Sequence, residues 1–500
     1  PDSLRGERMY RRTDVERFAR WKSSGPLLGR GRLLSSVSNA LRRQARWVTL
    51  IGPPGVGKTR LAEEVVQRNR RRTASSTLGF VRFADVAQIA NDDFLLAVAE
   101  AIGAPVLDGS DDVSAMEQVT ACLRSRGPTL LVIDNADALA RSVARFVPAW
   151  LDALPGLRVV VTSRIAAAHP SCAIIAVPPL SRDDARALLV RCAGGLDAVS
   201  REEHIERTLD ATDGLPLALE LAAVQLSPAE PTSAGVPRPG ASALKDTLEG
   251  MWRLLLEEDR ALLCRCSVFR GGFAKEIARD VAEIASFEAS MTRLAQMGLI
   301  RESRGSACAS RYFLLETVRE FAAAKLALRG DQEDALVAHA IATIRSAESF
   351  VAQLDTIEVA GALDALSAES RNLHAVVKRF LTSDLSIAVR AALALEEARR
   401  MRGPWDRSED ALLELTRDDL AWVALPEELR ARLLYAQAQR ARARGDCVRA
   451  ADYADRAIAL AERTDRVSLI VHCKVERAEE ARMLGQRPLG RRLAEEAVEL

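Results

Sequence analysis

An α/β domain built on a doubly wound parallel sheet, followed by all-α segments, is what this sequence predicts. Three observations carry that expectation. A glycine-rich loop, Gly52-Pro53-Pro54-Gly55-Val56-Gly57-Lys58-Thr59, joins an apolar run to a helical pattern. Short apolar runs alternate with helical stretches from about residue 25 to 180, the rhythm of parallel strands with crossover helices. Past residue 331 the chain reads as helix throughout, beyond a Pro/Gly/Ser-rich linker at 226–242.

The runs take their places in order. Candidate strands are 47–51, 78–84, 129–133, 158–162 and 173–177, with helices between them as at 92–102 and 112–125. Residues 181–225 are predicted helical, with Ser181 as an N-cap ahead of acids in the first turn. Residues 243–330 give several helices and then a strand candidate at 311–315. Near the end Gly445, Ala450, Ala454 and Ala457 recur as Gly485, Gly490, Ala494 and Ala497, an offset of forty. Small residues at such positions let helix pairs pack closely, as in tetratricopeptide-like arrays, although those repeat at about 34 residues. An unrelated Ala-rich bundle is the other reading. The resulting division is a basic extension at 1–24, an α/β domain at 25–180, a helical lid at 181–225, the linker, a further domain at 243–330 and a helical region at 331–500.

Composition bounds the function. The 500 residues, with net charge +1, suggest about three or four domains and no global pull toward nucleic acid or acidic lipid. The excess of arginine over residues 1–46 reads as a solvated linker rather than a nucleic-acid arm. No apolar run reaches the ~20 residues that span a bilayer. Eight scattered cysteines make no CxxC pair and have no His at zinc spacing, so they read as reduced cytosolic thiols, with Cys264 and Cys266 packed in a helix. The chain starts at Pro1 and stops within a helical pattern, which leaves open whether it is a piece of something longer.

The glycine-rich loop has the G-x-x-x-x-G-K-[ST] spacing in its required strand–loop–helix setting. Gly52, Pro53, Pro54, Gly55, Val56 and Gly57 let main-chain N–H groups converge on phosphate oxygens, and the following helix adds its positive end. Lys58 reaches the outer phosphates, the Thr59 hydroxyl holds Mg²⁺, and Arg60 comes directly after. Asp134, at the tip of the run Leu130-Leu131-Val132-Ile133, completes the Mg²⁺ side of the site. Lys58 and Asp134 are thus the residues expected to carry any chemistry. Asn135 stands where many such ATPases place the carboxylate that polarises water, and it cannot take a proton, although Asp137 lies two residues on. Slow ATP hydrolysis is therefore expected. Arg164, after Thr162-Ser163, can reach a γ-phosphate but taken alone reads as an exposed strand-end arginine. Pro216, in Gly214-Leu215-Pro216-Leu217-Ala218-Leu219, can lie flat on adenine or simply start a helix, and residue chemistry leaves the two even.

Taken in order, Gly29-Arg30, the phosphate loop, Asp134-Asn135, Thr162-Ser163-Arg164 and Gly214-Leu215-Pro216 resemble the STAND class of signal-transduction P-loop ATPases, which includes NB-ARC modules and bacterial AfsR-type regulators. Residues 262–273 and 311–322 resemble the start and end of that class's winged-helix domain, and 369–373 resembles a segment of its helical arm. The resemblance implies an ATP/ADP switch in the cytoplasm, with Mg²⁺ as cofactor. In it Arg30 lies near the nucleotide edge, Arg164 senses phosphate and Pro216 contacts adenine. It also implies a protein or small-molecule inducer on the helical region, nucleotide-dependent homo-oligomers, and DNA contact only through a domain outside this chain. Three departures stand out: Asn135, the Gly31-Arg32 pair where an acid is usual, and the lack of a Met-His-Asp motif. The competing functions are a conventional working ATPase, which needs a strong base after Asp134, and a DNA-binding transcriptional regulator, for which the stretch 286–299 offers only Arg293.

Overall fold

The apolar run at 47–51 is strand β1 (Trp47–Ile51), and the four later runs pair with it into one sheet. The computed structural model describes residues 27–43, 45–71, 80–86, 94–104, 112–165, 169, 172–193, 202–225, 243–303, 310–354, 359–402 and 419–500. The basic extension and the 226–242 linker lie outside these residues. The described chain falls into two units, one up to His339 and one from Ala340.

In the first unit, α1 (Gly31–Arg43) precedes β1, and α2 (Lys58–Arg71) follows the phosphate loop. Then come β2 (Phe80–Asp85), α3 (Phe94–Ile102), α4 (Asp112–Ser125), β3 (Thr129–Asp134), a 3₁₀ turn at Ala136–Leu139, α5 (Ala140–Ala153), β4 (Leu157–Ser163) and β5 (Cys172–Ala176). The sheet order is β2-β3-β4-β1-β5 and every pairing is parallel. The strand expected at 47–51 stands as expected and the described ends of the other four move by at most one residue, while 78–79 lie outside the described residues.

The inner strands are apolar almost without alternation because both faces are covered. Trp47, Leu131, Ile133, Val159 and Val161 share a buried cluster with α3, α4 and α5, where Phe94 lies 5.9 Å from Phe146 and 6.0 Å from Trp150, ring centre to ring centre. Val48, Leu50, Leu130, Val132 and Val160 point the other way and are equally buried, where α2 packs. Strand β5 is one of the two edges, and Ile174 on it is half exposed. In register, Ile51 pairs with Ser163 and Ile133 with Val161. The carboxyl ends of β1, β3 and β4 therefore meet along one rim, the usual ligand side of an open parallel sheet.

Three helices come next, α6 (Arg182–Cys192), α7 (Glu202–Thr212) and α8 (Pro216–Gln225), held by Leu188, Leu189, Ile205, Leu209 and Leu219. Ser181 caps α6 by accepting from the Asp184 N–H at 3.2 Å. After them stand α9 (Ala243–Leu254), α10 (Glu257–Cys266), β6 (Phe273–Ala274), α11 (Lys275–Ala282), α12 (Phe287–Gln296), β7 (Arg301–Ser303), β8 (Arg311–Phe313) and α13 (Glu316–Arg329). Their small antiparallel sheet has the order β6-β8-β7, so helices and strands succeed one another as in a winged helix. Cys264 and Cys266 are buried on α10. The strand expected at 311–315 stops at Phe313, because Leu315 is the extended residue that precedes α13.

The described residues beyond that are helical. They form α14 (Gln332–Ala352), in which the second unit begins, then α15 (Val359–Ala368), α16 (Ser370–Phe380), α17 (Leu385–Arg402) and α18 (Asp419–Ala424). The last four, α19 (Glu427–Ala443), α20 (Cys447–Ala461), α21 (Val467–Met483) and α22 (Arg487–Glu499), carry the repeat of forty. Gly445 and Gly485 both adopt positive φ (81° and 75°) in the turn within each pair, which favours glycine there. The repeat is unequal in burial. Ala454 is buried between helices that cover α20 from both sides, whereas its counterpart Ala494 is exposed on α22, which packs against α21.

Candidate nucleotide site

Glycine is forced into the loop by space and by dihedral angle. A Cβ on Gly52 would sit 2.7 Å from the Val177 carbonyl oxygen, and Gly55 and Gly57 have φ of +78° and +95°. Val56, fully buried, anchors the loop from beneath. Its carbonyl accepts from Arg30 Nη2 at 3.1 Å, so Arg30 braces the loop's main chain from a buried position. Burial lowers the Arg30 pKa from its ordinary value, against the opposing pull of Asp184. Gly29 has no room for a Cβ, which would collide with the Asp184 carboxylate.

Lys58 opens α2 and folds back over the loop, donating to the carbonyls of Gly52 at 2.8 Å and Pro53 at 3.1 Å. Burial pulls its pKa below the usual lysine value; Asp137 opposes this, Arg164 adds to it and Asp134 opposes it. Thr59 donates to Asp134, with Oγ1 3.0 and 2.9 Å from the two carboxylate oxygens. The same carboxylate takes the Thr162 hydroxyl at 2.5 Å and the Asn135 side-chain amide at 3.1 Å. Thr162 in turn accepts from the Asn135 backbone N–H at 3.0 Å, while Asn135 turns the chain in the left-handed region at φ 61°.

A hydroxyl and a carboxylate, both hard oxygen donors at the mouth of a loop of N–H groups, fit Mg²⁺, which takes few protein ligands and keeps several waters. Among the described residues no cluster of three or more His, Cys, Asp or Glu could hold a metal by itself. Asp137, two residues past Asn135, accepts from Ser163 Oγ at 3.0 Å and from the Arg164 backbone N–H.

The helical elements reach the same loop. The Leu217 N–H donates to the Gly55 carbonyl at 3.2 Å, and Leu217 and Leu244 each come within 3.1 Å of where a Gly55 Cβ would lie. Pro216 starts α8 and its Cγ lies 4.0 Å from the corresponding point on Gly57. Arg60 pairs with Glu220 on α8 at 3.3 Å, and Glu220 also holds Arg301 of β7 at 2.9 Å. Arg164 pairs with Asp137 at 3.3 Å and with Glu320 of α13 at 2.9 Å. The structure thus gathers the loop, Lys58, Thr59, Asp134, Arg30 and Pro216 at one rim, and ties Arg60 and Arg164 to acids from later elements. Sequence reasoning missed the roles of Thr162, Glu220 and Glu320. A polar residue at the tip of the strand next to Asp134 was a readable sign for Thr162; nothing local marked the two glutamates.

Residues 41–169 match the family model of an AAA domain. The uncharacterized protein Rv0894 of Mycobacterium tuberculosis is 31% identical over 343 residues, covering 62% of this chain and 83% of that protein. The chain belongs to the Rv0894 family. A longer relative, "Putative HTH-type transcriptional regulator Rv0890c" of the same species, is 29% identical over 324 residues, which are 59% of this chain and 35% of that protein. Among solved structures, a STAND protein with a tetratricopeptide repeat sensor, PH0952 from Pyrococcus horikoshii, aligns over 95% of this chain and 76% of its own at 15% identity and a TM-score of 0.47. Cdc6p from Pyrobaculum aerophilum covers 61% of this chain and 97% of its own at 16% identity and a TM-score of 0.35. This Rv0894-family chain carries a P-loop NTPase domain, followed by a largely helical region among its described residues. No helix among its described residues is long and apolar enough to cross a membrane.

Proposed function

We propose that the chain is a signalling switch gated by ATP and ADP, with slow hydrolysis. The observation that carries this is the convergence of later elements on the phosphate loop: the Leu217 N–H on the Gly55 carbonyl, and Glu220 tying Arg60 beside the loop to Arg301 in the winged helix. A nucleotide bound at such a loop would have a different free energy in any arrangement that moves α8 or β7, which is the requirement for coupling. Lys58 would turn from the loop carbonyls to the phosphates, Thr59 and Asp134 would hold Mg²⁺, Arg164 would meet the γ-phosphate and Pro216 the adenine. Mg²⁺ would supply charge neutralisation of the phosphates. An inducer acting on the helical region from residue 331 would bias the exchange of ADP for ATP, with homo-oligomer formation as the output. We place the domains at 25–180, 181–225, 243–330 and 331–500, in the cytoplasm.

Rapid turnover is not favoured, because Asn135 offers no base and Asp137 is engaged with Ser163 and Arg164. Direct DNA reading by α12 is not favoured either: Arg293 is held by buried Asp259 at 2.7 Å and by Ser290 at 3.0 Å. Calorimetry with ADP and ATP in Mg²⁺ tests the proposal. The wild-type chain should bind both, and Lys58→Ala should weaken both at least tenfold. Equal affinity in the variant would remove the site from consideration.

A further inference from the structure

The guanidinium of Arg164 stands at the phosphate rim, yet its fork is taken by a carboxylate from far along the chain. Nη2 lies 2.9 and 3.2 Å from the two oxygens of Glu320 on α13, while Nε lies 3.3 Å from Asp137. In the sheet register Ile51 pairs with Ser163, so Arg164 leaves β4 beside the point where the phosphate loop leaves β1. An arginine presents a planar fork that suits a carboxylate or a phosphate equally well, so the two compete for it. A nucleoside diphosphate ends before the γ position and leaves the Arg164–Glu320 pair in place. A triphosphate must displace Glu320 or forgo the arginine.

We propose that Glu320 determines nucleotide specificity in this site, favouring ADP over ATP by standing in for the γ-phosphate at Arg164. The inference rests on the reading of Arg164 as the phosphate sensor. Because α13 closes the winged-helix segment, loss of the Arg164–Glu320 pair on ATP binding would also release one tie between that segment and the ATPase domain. The tie through Glu220, Arg60 and Arg301 does not involve the γ position and would remain. The effect is bounded by exposure, since Arg164 is 39% and Glu320 47% exposed. Such pairs supply about a twofold to fivefold bias in affinity.

The test is calorimetry on the whole chain with Mg²⁺ and either ADP or a non-hydrolysable ATP analogue. Glu320→Gln should tighten the analogue about twofold to fivefold and leave ADP unchanged, and Glu320→Asp should stay near wild type. Arg164→Gln should weaken the analogue alone, and adding Glu320→Gln to it should bring no further change. If Glu320→Gln shifts both nucleotides alike, or neither, while Arg164→Gln still weakens the analogue, the specificity role of Glu320 is overturned and the sensor role of Arg164 stands. If Arg164→Gln leaves the analogue unaffected, the sensor reading falls and this inference with it. Absence of nucleotide binding by the wild-type chain would overturn the switch itself.

Discussion

Replacing Thr162 by valine keeps the shape of a fully buried side chain on β4 and removes one hydroxyl. That hydroxyl has two jobs: it donates to Asp134 at 2.5 Å and accepts from the Asn135 N–H at 3.0 Å. Losing a hydrogen bond to a charged acceptor costs about 1.5–3 kcal/mol. Loss of the Thr162 acceptor for the Asn135 N–H adds about 1 kcal/mol, the low end of the usual range, because Asn135 is only half-buried. The variant should therefore lose about 2.5–4 kcal/mol of stability in the ATPase domain, read as a lower midpoint in denaturant. A purely structural effect would end there. Thr162 also fixes the carboxylate that Thr59 meets, so Thr162→Val should in addition need several-fold more Mg²⁺ to reach half-maximal nucleotide binding. Thr162→Ser keeps the hydroxyl and should restore the Mg²⁺ response even if it loses some packing. Valine and serine variants with the same Mg²⁺ midpoint as wild type would refute the reasoning.

Asp134→Ala should abolish the dependence of nucleotide affinity on Mg²⁺, checked by titration with and without chelator; a normal metal response would clear Asp134 of that role. In the helical unit, Glu480 is fully buried on α21, and among the described residues neither of its carboxyl oxygens has a hydrogen-bond partner. Burial, then Glu476, push its pKa from 4.5 up to about 8, against Arg477 and Arg442, with Asp455 adding to the rise. A folded-state value above the unfolded one means that stability is greatest below about pH 4.5 and declines until about pH 8. At about 1.4 kcal/mol per unit the loss reaches roughly 5 kcal/mol at most. Glu480→Gln should flatten that decline in denaturation midpoints taken between pH 5 and 8, and parallel profiles would rule it out.

Elements made from neighbouring residues were the most legible. The phosphate loop lies in eight consecutive positions between a strand and a helix, so spacing, glycine dihedrals and the lysine all show in one window. The five strands showed as apolar runs because β1, β3 and β4 are covered on both faces and cannot alternate. Asp134 was legible only together with the phosphate loop, since an Asp at a strand tip by itself reads as a turn residue. Less legible was Arg30, whose residue type is plain while its use, bracing the Val56 carbonyl from a buried position, depends on packing. Pro216 shows the same limit, since starting α8 and standing beside Gly57 leave the same trace in sequence.

By itself, then, the sequence determined the P-loop, the parallel α/β domain around it and the helical character of the later segments. These rest on short-range dihedral and hydrophobic patterns that a linear chain records directly. Only the tertiary structure decided which side chains meet at the loop: Thr162 on Asp134, Glu220 between Arg60 and Arg301, and Glu320 on Arg164. Each depends on side chains 28 to 160 positions apart, brought together by sheet order and helix packing. An exposed glutamate on a helix has the same local pattern whether it faces water or an arginine from a distant strand end.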